Sequence, residues 1–187
     1  VLGLPHTGTW LPPDIGQALN AEGRRLADTD WHVDTLYRGL VPGLTVVRAT
    51  FHRYVIDANR DPSGASLYPG QATTGLVPET DFDGRPIRDA PVTGAEVADR
   101  LARFHAPYHE ALTAQMTRVQ ARHGVAILYD AHSIRSRIPH LFDGILPDFN
   151  IGTNGRTTCA PQVEAAVLAR VSGESHVLNG RFRGGWT

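Results

Sequence analysis

Three times this chain runs through a short apolar stretch and then sets down polar residues that can do chemistry. Leu2-Gly3-Leu4-Pro5-His6-Thr7-Gly8 ends in a histidine inside a Pro/Gly turn. Val55-Ile56-Asp57-Ala58-Asn59-Arg60-Asp61-Pro62 carries a polar cluster and stops at proline. Val125-Ala126-Ile127-Leu128-Tyr129-Asp130-Ala131-His132-Ser133 repeats the plan. Apolar runs of this length read as strands. A strand delivers its last residues to the edge of a sheet, and in open α/β sheets the C-terminal edge is where ligands bind.

The residue types at those ends suggest what the edge is for. Arg60 offers a planar fork that pairs two-pronged with a carboxylate, and Asn59 adds a neutral donor. Together they form a device for gripping a small acid, although Asp57 and Arg60 could instead pair with each other. His6 and His132, joined by one carboxylate, make a three-ligand zinc site with an open position for water.

Strands and helices alternate in the intervening sequence. The expected strands are 1–5, 43–50, 53–58, 125–130 and 175–178. A short helix is expected over 14–19, and another from Asp30 with Trp31, Val33, Leu36, Tyr37 and Leu40 at helical spacing. The clearest helix spans 93–123. Thr93 and Glu96 form its capping box, and Val97, Leu101, Phe104, Tyr108, Leu112 and Val119 form its buried stripe. Pro107 should kink it and Gly124 should end it. Pro161 opens a last helix through Val171. Residues 61–94, rich in Gly, Pro, Thr and Asp, read either as a long loop of the kind that often covers a site or as a disordered insertion. His105 and His109 have the spacing of paired metal ligands. They lack the glutamate of the His-Glu-x-x-His motif and Pro107 lies between them, so surface histidines or a cap over the site is the better reading.

Composition removes several function classes. With a formal net charge of −1, no basic surplus exists for nucleic acid. All positive charge is arginine, so lysine chemistry is excluded within these residues. The single cysteine, Cys159, permits no intrachain disulfide, which makes a cytoplasmic setting the default. No apolar run reaches the length of a membrane span. At 187 residues a single domain, 1–187, is expected. Both ends, Val1 and the Gly184-Gly185-Trp186-Thr187 stretch, read as cuts in a longer protein.

An ordered series of motifs then resembles a known family. Pro5-His6-Thr7-Gly8, Asp28-Thr29-Asp30-Trp31-His32-Val33-Asp34 and Arg53-Tyr54-Val55-Ile56-Asp57-Ala58-Asn59-Arg60-Asp61-Pro62 come first. Asp130-Ala131-His132-Ser133-Ile134-Arg135, Leu146-Pro147-Asp148-Phe149-Asn150-Ile151-Gly152-Thr153-Asn154 and Asn179-Gly180-Arg181-Phe182 follow. Together these resemble the N-formylglutamate amidohydrolases (N-formylglutamate deformylases) over essentially the whole chain.

The resemblance implies a three-layer α/β/α fold with a mixed sheet, similar to the zinc carboxypeptidases. It implies zinc-dependent hydrolysis of N-formyl-L-glutamate to formate and L-glutamate, the last step of a histidine degradation route. The partner is then a small acidic substrate. In this reading His6 and His132 ligate zinc, with Asp30 or Asp34 as the carboxylate ligand and the other orienting a histidine. Asp130 could support His132. Arg53 would help the tetrahedral intermediate. Asn59, Arg60, Arg135, Asn179 and Arg181 would hold the substrate. The general-base glutamate is expected beyond Thr187, Glu79 being the least poor substitute within the chain. Competing readings are a deacylase or carboxypeptidase for another N-acyl amino acid, and an amino-acid-binding relative without a base.

Overall fold

The structure is a computed structural model that describes residues 1–66 and 68–185. It is a mixed α/β fold with small parallel sheets, forming two compact units, Val1–Ile134 and Arg135–Thr187.

In the first unit β1 (Leu2–Leu4) lies between β2 (Val46–Arg48) and β3 (Tyr129–Asp130), both parallel to it. Leu2 stands opposite Val46 on one side and Tyr129 on the other. Parallel pairing points every strand end the same way, so the residues after β1 and β3 emerge at one edge. These strands are shorter than the sequence predicts. The expected mixed sheet is not seen, since every strand pair among the described residues is parallel.

Two glycines permit close crossings. A Cβ on Gly3 would lie 2.8 Å from Asp130 Oδ1, and one on Gly8 would lie 2.3 Å from the Phe51 carbonyl oxygen. Around them Ile15, Val47, Phe51, Val55, Ile56, Phe104, Tyr108 and Leu112 form the main apolar core.

The predicted strand over 53–58 does not form. This stretch is irregular, yet Val55 to Ala58 are entirely buried. Buried irregular backbone must find partners outside a ladder. Arg88 Nη2 donates to the Tyr54 carbonyl at 3.2 Å, Arg100 Nη1 donates to that of Val55 at 3.0 Å, and the Asp57 N–H donates to the Leu76 carbonyl at 2.7 Å.

The predicted long helix comes in three parts: α3 (Gly94–Arg100), a π-helical turn (Leu101–His105) and α4 (Ala106–His123). The shorter helices before it are α1 (Pro13–Ala18) and α2 (Val33–Leu36). Thr93 and Glu96 make the capping box, and Gly124 at φ 75° ends the run. Pro107 has no N–H and its ring crowds the preceding turn. The wider π turn just ahead of it gives that ring room.

In the second unit β4 (Phe149–Ile151) and β5 (His176–Leu178) pair in parallel, with α5 (Pro161–Val171) between them in sequence. Among the described residues no helix is long and apolar enough to cross a membrane.

Gly8→Ala drives a methyl group into backbone that cannot step aside. It should cost about 1–3 kcal/mol or more in urea unfolding. Gly94→Ala, where a Cβ meets nothing within 4 Å, should be neutral or slightly stabilising.

Candidate metal centre

His6 follows the end of β1 and His132 follows the end of β3, so the parallel register brings their rings together with centroids 4.9 Å apart. Asp30 joins them from the segment that crosses this edge, its N–H donating to the His6 carbonyl at 3.0 Å. His6 Nδ1 and His132 Nδ1 are 3.1 Å apart. Asp30 Oδ2 lies 3.3 Å from His132 Nδ1 and 3.8 Å from His6 Nδ1. A point equidistant from these three atoms lies about 2.0 Å from each, the length of a zinc–imidazole bond. Two imidazoles and one carboxylate form a donor set suited to zinc or a neighbouring transition metal rather than to magnesium or calcium. The residues fit the ion.

Each histidine carries a second carboxylate on its other nitrogen. His6 Nε2 donates to Asp57 Oδ1 at 2.7 Å, and His132 Nε2 donates to Asp130 Oδ2 at 3.0 Å. A carboxylate on Nε2 fixes the tautomer and leaves Nδ1 as the nitrogen that could ligate a metal. Behind Asp57 lies Arg53, whose Nη2 donates to Asp57 Oδ2 at 2.5 Å while its guanidinium stacks 4.7 Å over the Phe82 ring.

Charge divides unevenly across the cluster. Burial would raise the Asp57 carboxyl, but Arg53, His6 and Arg60 hold it well below the usual carboxylate range. Burial and the Arg53 charge push His6 down, so its ring is neutral. Burial opposes protonation of His132 as well, but Asp130 and Asp30 raise it to about 10. Without a cation, His132 therefore holds a proton that a metal must displace.

Three comparisons with known proteins agree. The profile of the N-formylglutamate amidohydrolases matches residues 1–187. This chain belongs to that family. N-formylglutamate deformylase from Pseudomonas aeruginosa is 48% identical over 191 residues, covering 99% of this chain and 71% of that protein. The Pseudomonas putida deformylase is 45% identical over 193 residues, with the same coverage. The crystal structure of N-formylglutamate amidohydrolase from Ralstonia eutropha superposes with a TM-score of 0.78 at 30% identity. It covers 98% of this chain and 73% of the Ralstonia chain.

The structure separates the candidate residues of this family member. Asp30 and Asp34, expected on one helix face, point apart. α2 begins only at Val33, after His32 turns the chain at φ 68°, so Asp30 precedes the helix and does not cap it. Asp34 pairs instead with Arg48 at 2.9 Å and Arg38 at 3.4 Å. Arg53 is buried and paired with Asp57. Asn59 reaches the cluster, its Nδ2 3.1 Å from His132 Nε2. Arg60 is turned onto the long loop, donating to the Thr74 carbonyl at 2.8 Å and the Thr74 hydroxyl at 2.9 Å.

Arg135, Asn179 and Arg181 belong to the second unit. Arg135 is exposed there. Asn179 staples a turn, accepting from the Thr153 and Gly155 N–H groups, and Arg181 lies 5.9 Å over the Phe142 ring. No glutamate joins the cluster among the described residues, and Glu79 is exposed. His105 and His109 bond to backbone carbonyls.

The sequence offers Asp57 only as a partner for Arg60, and its place behind His6 is what the structure adds. A carboxylate inside the apolar run Val55-Ile56-Asp57-Ala58 must be buried, and a buried carboxylate needs charged or N–H partners. That was the available signal.

Asp57→Asn should weaken metal binding about 10–100-fold. It should also lower stability by about 3–5 kcal/mol, because Arg53 is left buried without its partner. Asp130→Asn, on a partly exposed carboxylate, should weaken metal binding with a much smaller stability loss. Metal titration and urea unfolding of both variants check this.

His52 supplies the pH test. It is fully buried, and burial with the Arg53 charge lowers it to about 3 from 6.5. Between those values the unfolded chain holds a proton that the folded chain does not. Stability should therefore fall as pH drops below 6.5, by up to about 1.4 kcal/mol per unit from this group. In His52→Asn the His52 share of that slope should disappear, leaving the contributions of His6 and His109, shifted the same way, and of His132, shifted the opposite way.

Proposed function

We propose that this chain hydrolyses the formyl amide of N-formyl-L-glutamate, releasing formate and L-glutamate, with zinc held by His6, Asp30 and His132. The observation that carries the reading is the converging Nδ1, Nδ1 and carboxylate triangle, each histidine backed by a carboxylate, in a chain of the N-formylglutamate amidohydrolase family. As the sequence resemblance implies, the reaction would close a histidine degradation route.

When bound, such a metal supplies Lewis-acid polarisation of the amide carbonyl and activation of water. The chain's own residues set the geometry. Asp57 and Asp130 hold the two imidazoles in one tautomer, and Arg53 keeps Asp57 ionised. Arg53 thus acts through Asp57 and His6. Asn59, beside His132, and Arg60, its fork oriented by Thr74 and the Asn59 carbonyl, are the clamp for a substrate carboxylate. The cluster's carboxylates are all engaged, Asp30 toward the metal and Asp57 and Asp130 on histidines, so none of them is assigned as general base.

Formate release from N-formyl-L-glutamate should be abolished by a chelator and restored by zinc. His6→Ala, Asp30→Ala and His132→Ala should each lose bound metal and activity together, whereas Asp34→Ala should keep its metal. Chelator-resistant hydrolysis would overturn the zinc assignment. A zinc-loaded protein that cleaves N-acetyl-L-glutamate but not the formyl compound would move the assignment to another N-acyl amino acid.

A further inference from the structure

Two histidines outside the metal cluster sit where they can control the substrate clamp. His105 closes the π-helical turn and His109 lies one turn on in α4. Their rings are 4.4 Å apart on one face of the helix. His109 Nε2 donates to the Ala58 carbonyl at 2.8 Å, and His105 Nε2 donates to the Arg60 carbonyl at 2.9 Å. A carbonyl can only accept, so both Nε2 atoms carry hydrogen and neither ring offers that nitrogen to a metal.

The residue between the two held carbonyls is Asn59. Its N–H donates to Asp57 Oδ1 at 2.9 Å, its carbonyl accepts from Arg60 Nη1 at 2.7 Å, and its side-chain amide lies beside His132. Among the described residues the segment has no strand partner to hold it in place. Its conformation depends on side-chain donors, and these two act on the peptides at and beside the clamp.

We propose that His105 and His109 are positioning residues for substrate binding, acting through Asn59 and Arg60 by fixing the backbone from which both project. The proposal rests on the reading of Asn59 and Arg60 as the carboxylate clamp.

The test compares His105→Phe and His109→Phe, which keep a ring and remove the donor, with His105→Gln and His109→Gln. A glutamine amide reaches about as far as imidazole Nε2 and keeps an N–H there. Each protein is measured for metal content, for kcat and KM on N-formyl-L-glutamate, and for amide hydrogen exchange of a peptide spanning 57–61.

The Phe variants should raise KM about tenfold, the size expected for one lost buried hydrogen bond. Their kcat should stay within about threefold, metal content should be unchanged, and exchange over 57–61 should be faster. The Gln variants should return KM and exchange to near wild type. Phe variants with wild-type KM and exchange overturn the proposal. So do Gln variants that lose as much as the Phe variants, and losses confined to kcat and metal content. Wild-type protein inert towards N-formyl-L-glutamate counts against the proposed function instead, and exchange then decides whether the histidines hold the segment.

Discussion

The buried chain of charge from Arg53 through Asp57 to His6 organises the first unit. Asp57 is wholly inaccessible to water, and a carboxylate in that position stays ionised because Arg53 donates to one oxygen, His6 and the Asn59 N–H donate to the other, and Arg60 lies near. Removing any member strands the others in an apolar surrounding, which is why breaking such a pair costs far more than an exposed salt bridge. The same arrangement decides the chemistry at the surface end. With Nε2 donating to Asp57, His6 must present Nδ1, and it presents it unprotonated because burial and Arg53 both oppose a positive ring.

Holding Asp57 in place imposes a demand on the backbone around it. Residues 54–60 run through the core without strand partners among the described residues, and carbonyls of Tyr54, Val55, Ala58 and Arg60 are taken up by Arg88, Arg100, His109 and His105. Three of those donors come from one helical run, α3 through α4. That run is therefore more than a lid on the apolar core. The long stretch after Asp61 is tied to the same segment through Leu76 and Thr74. It buries Leu76, Phe82 and Ile87, as a packed loop does and a disordered insertion cannot.

How much of this could be read in the sequence depended on how local the cause was. The capping box at Thr93 and Glu96, the stop at Gly124 and the helix opened by Pro161 follow from neighbours a few residues apart. The two histidines at strand ends were visible because an apolar run followed by a polar turn is a local pattern. Val55 to Ala58 shows the opposite case. Its composition favours a strand, yet side-chain donors from far along the chain supply the partners a ladder would have given. Asp30 and Asp34 looked equivalent at a spacing of four, and the left-handed turn at His32 that separates them has no clear signature in a histidine.

The sequence by itself determined the family, the α/β class, the histidine pair, and Asn59 and Arg60 as residues of interest. These rest on residue identity and short-range pattern, which the chain carries wherever it folds. Only the tertiary structure decided that Asp30 rather than Asp34 completes the triangle and that Asp57 stands behind the His6 ring, whereas Asp130 as a support for His132 was legible two residues away in the sequence. The tertiary structure also placed Arg53 beneath the cluster and His105 and His109 against the carbonyls of Arg60 and Ala58. Each of those depends on segments between about 25 and 130 residues apart meeting within the first unit. Electrostatic and hydrogen-bond partners at that range are selected by three-dimensional proximity, which spacing along the chain does not encode.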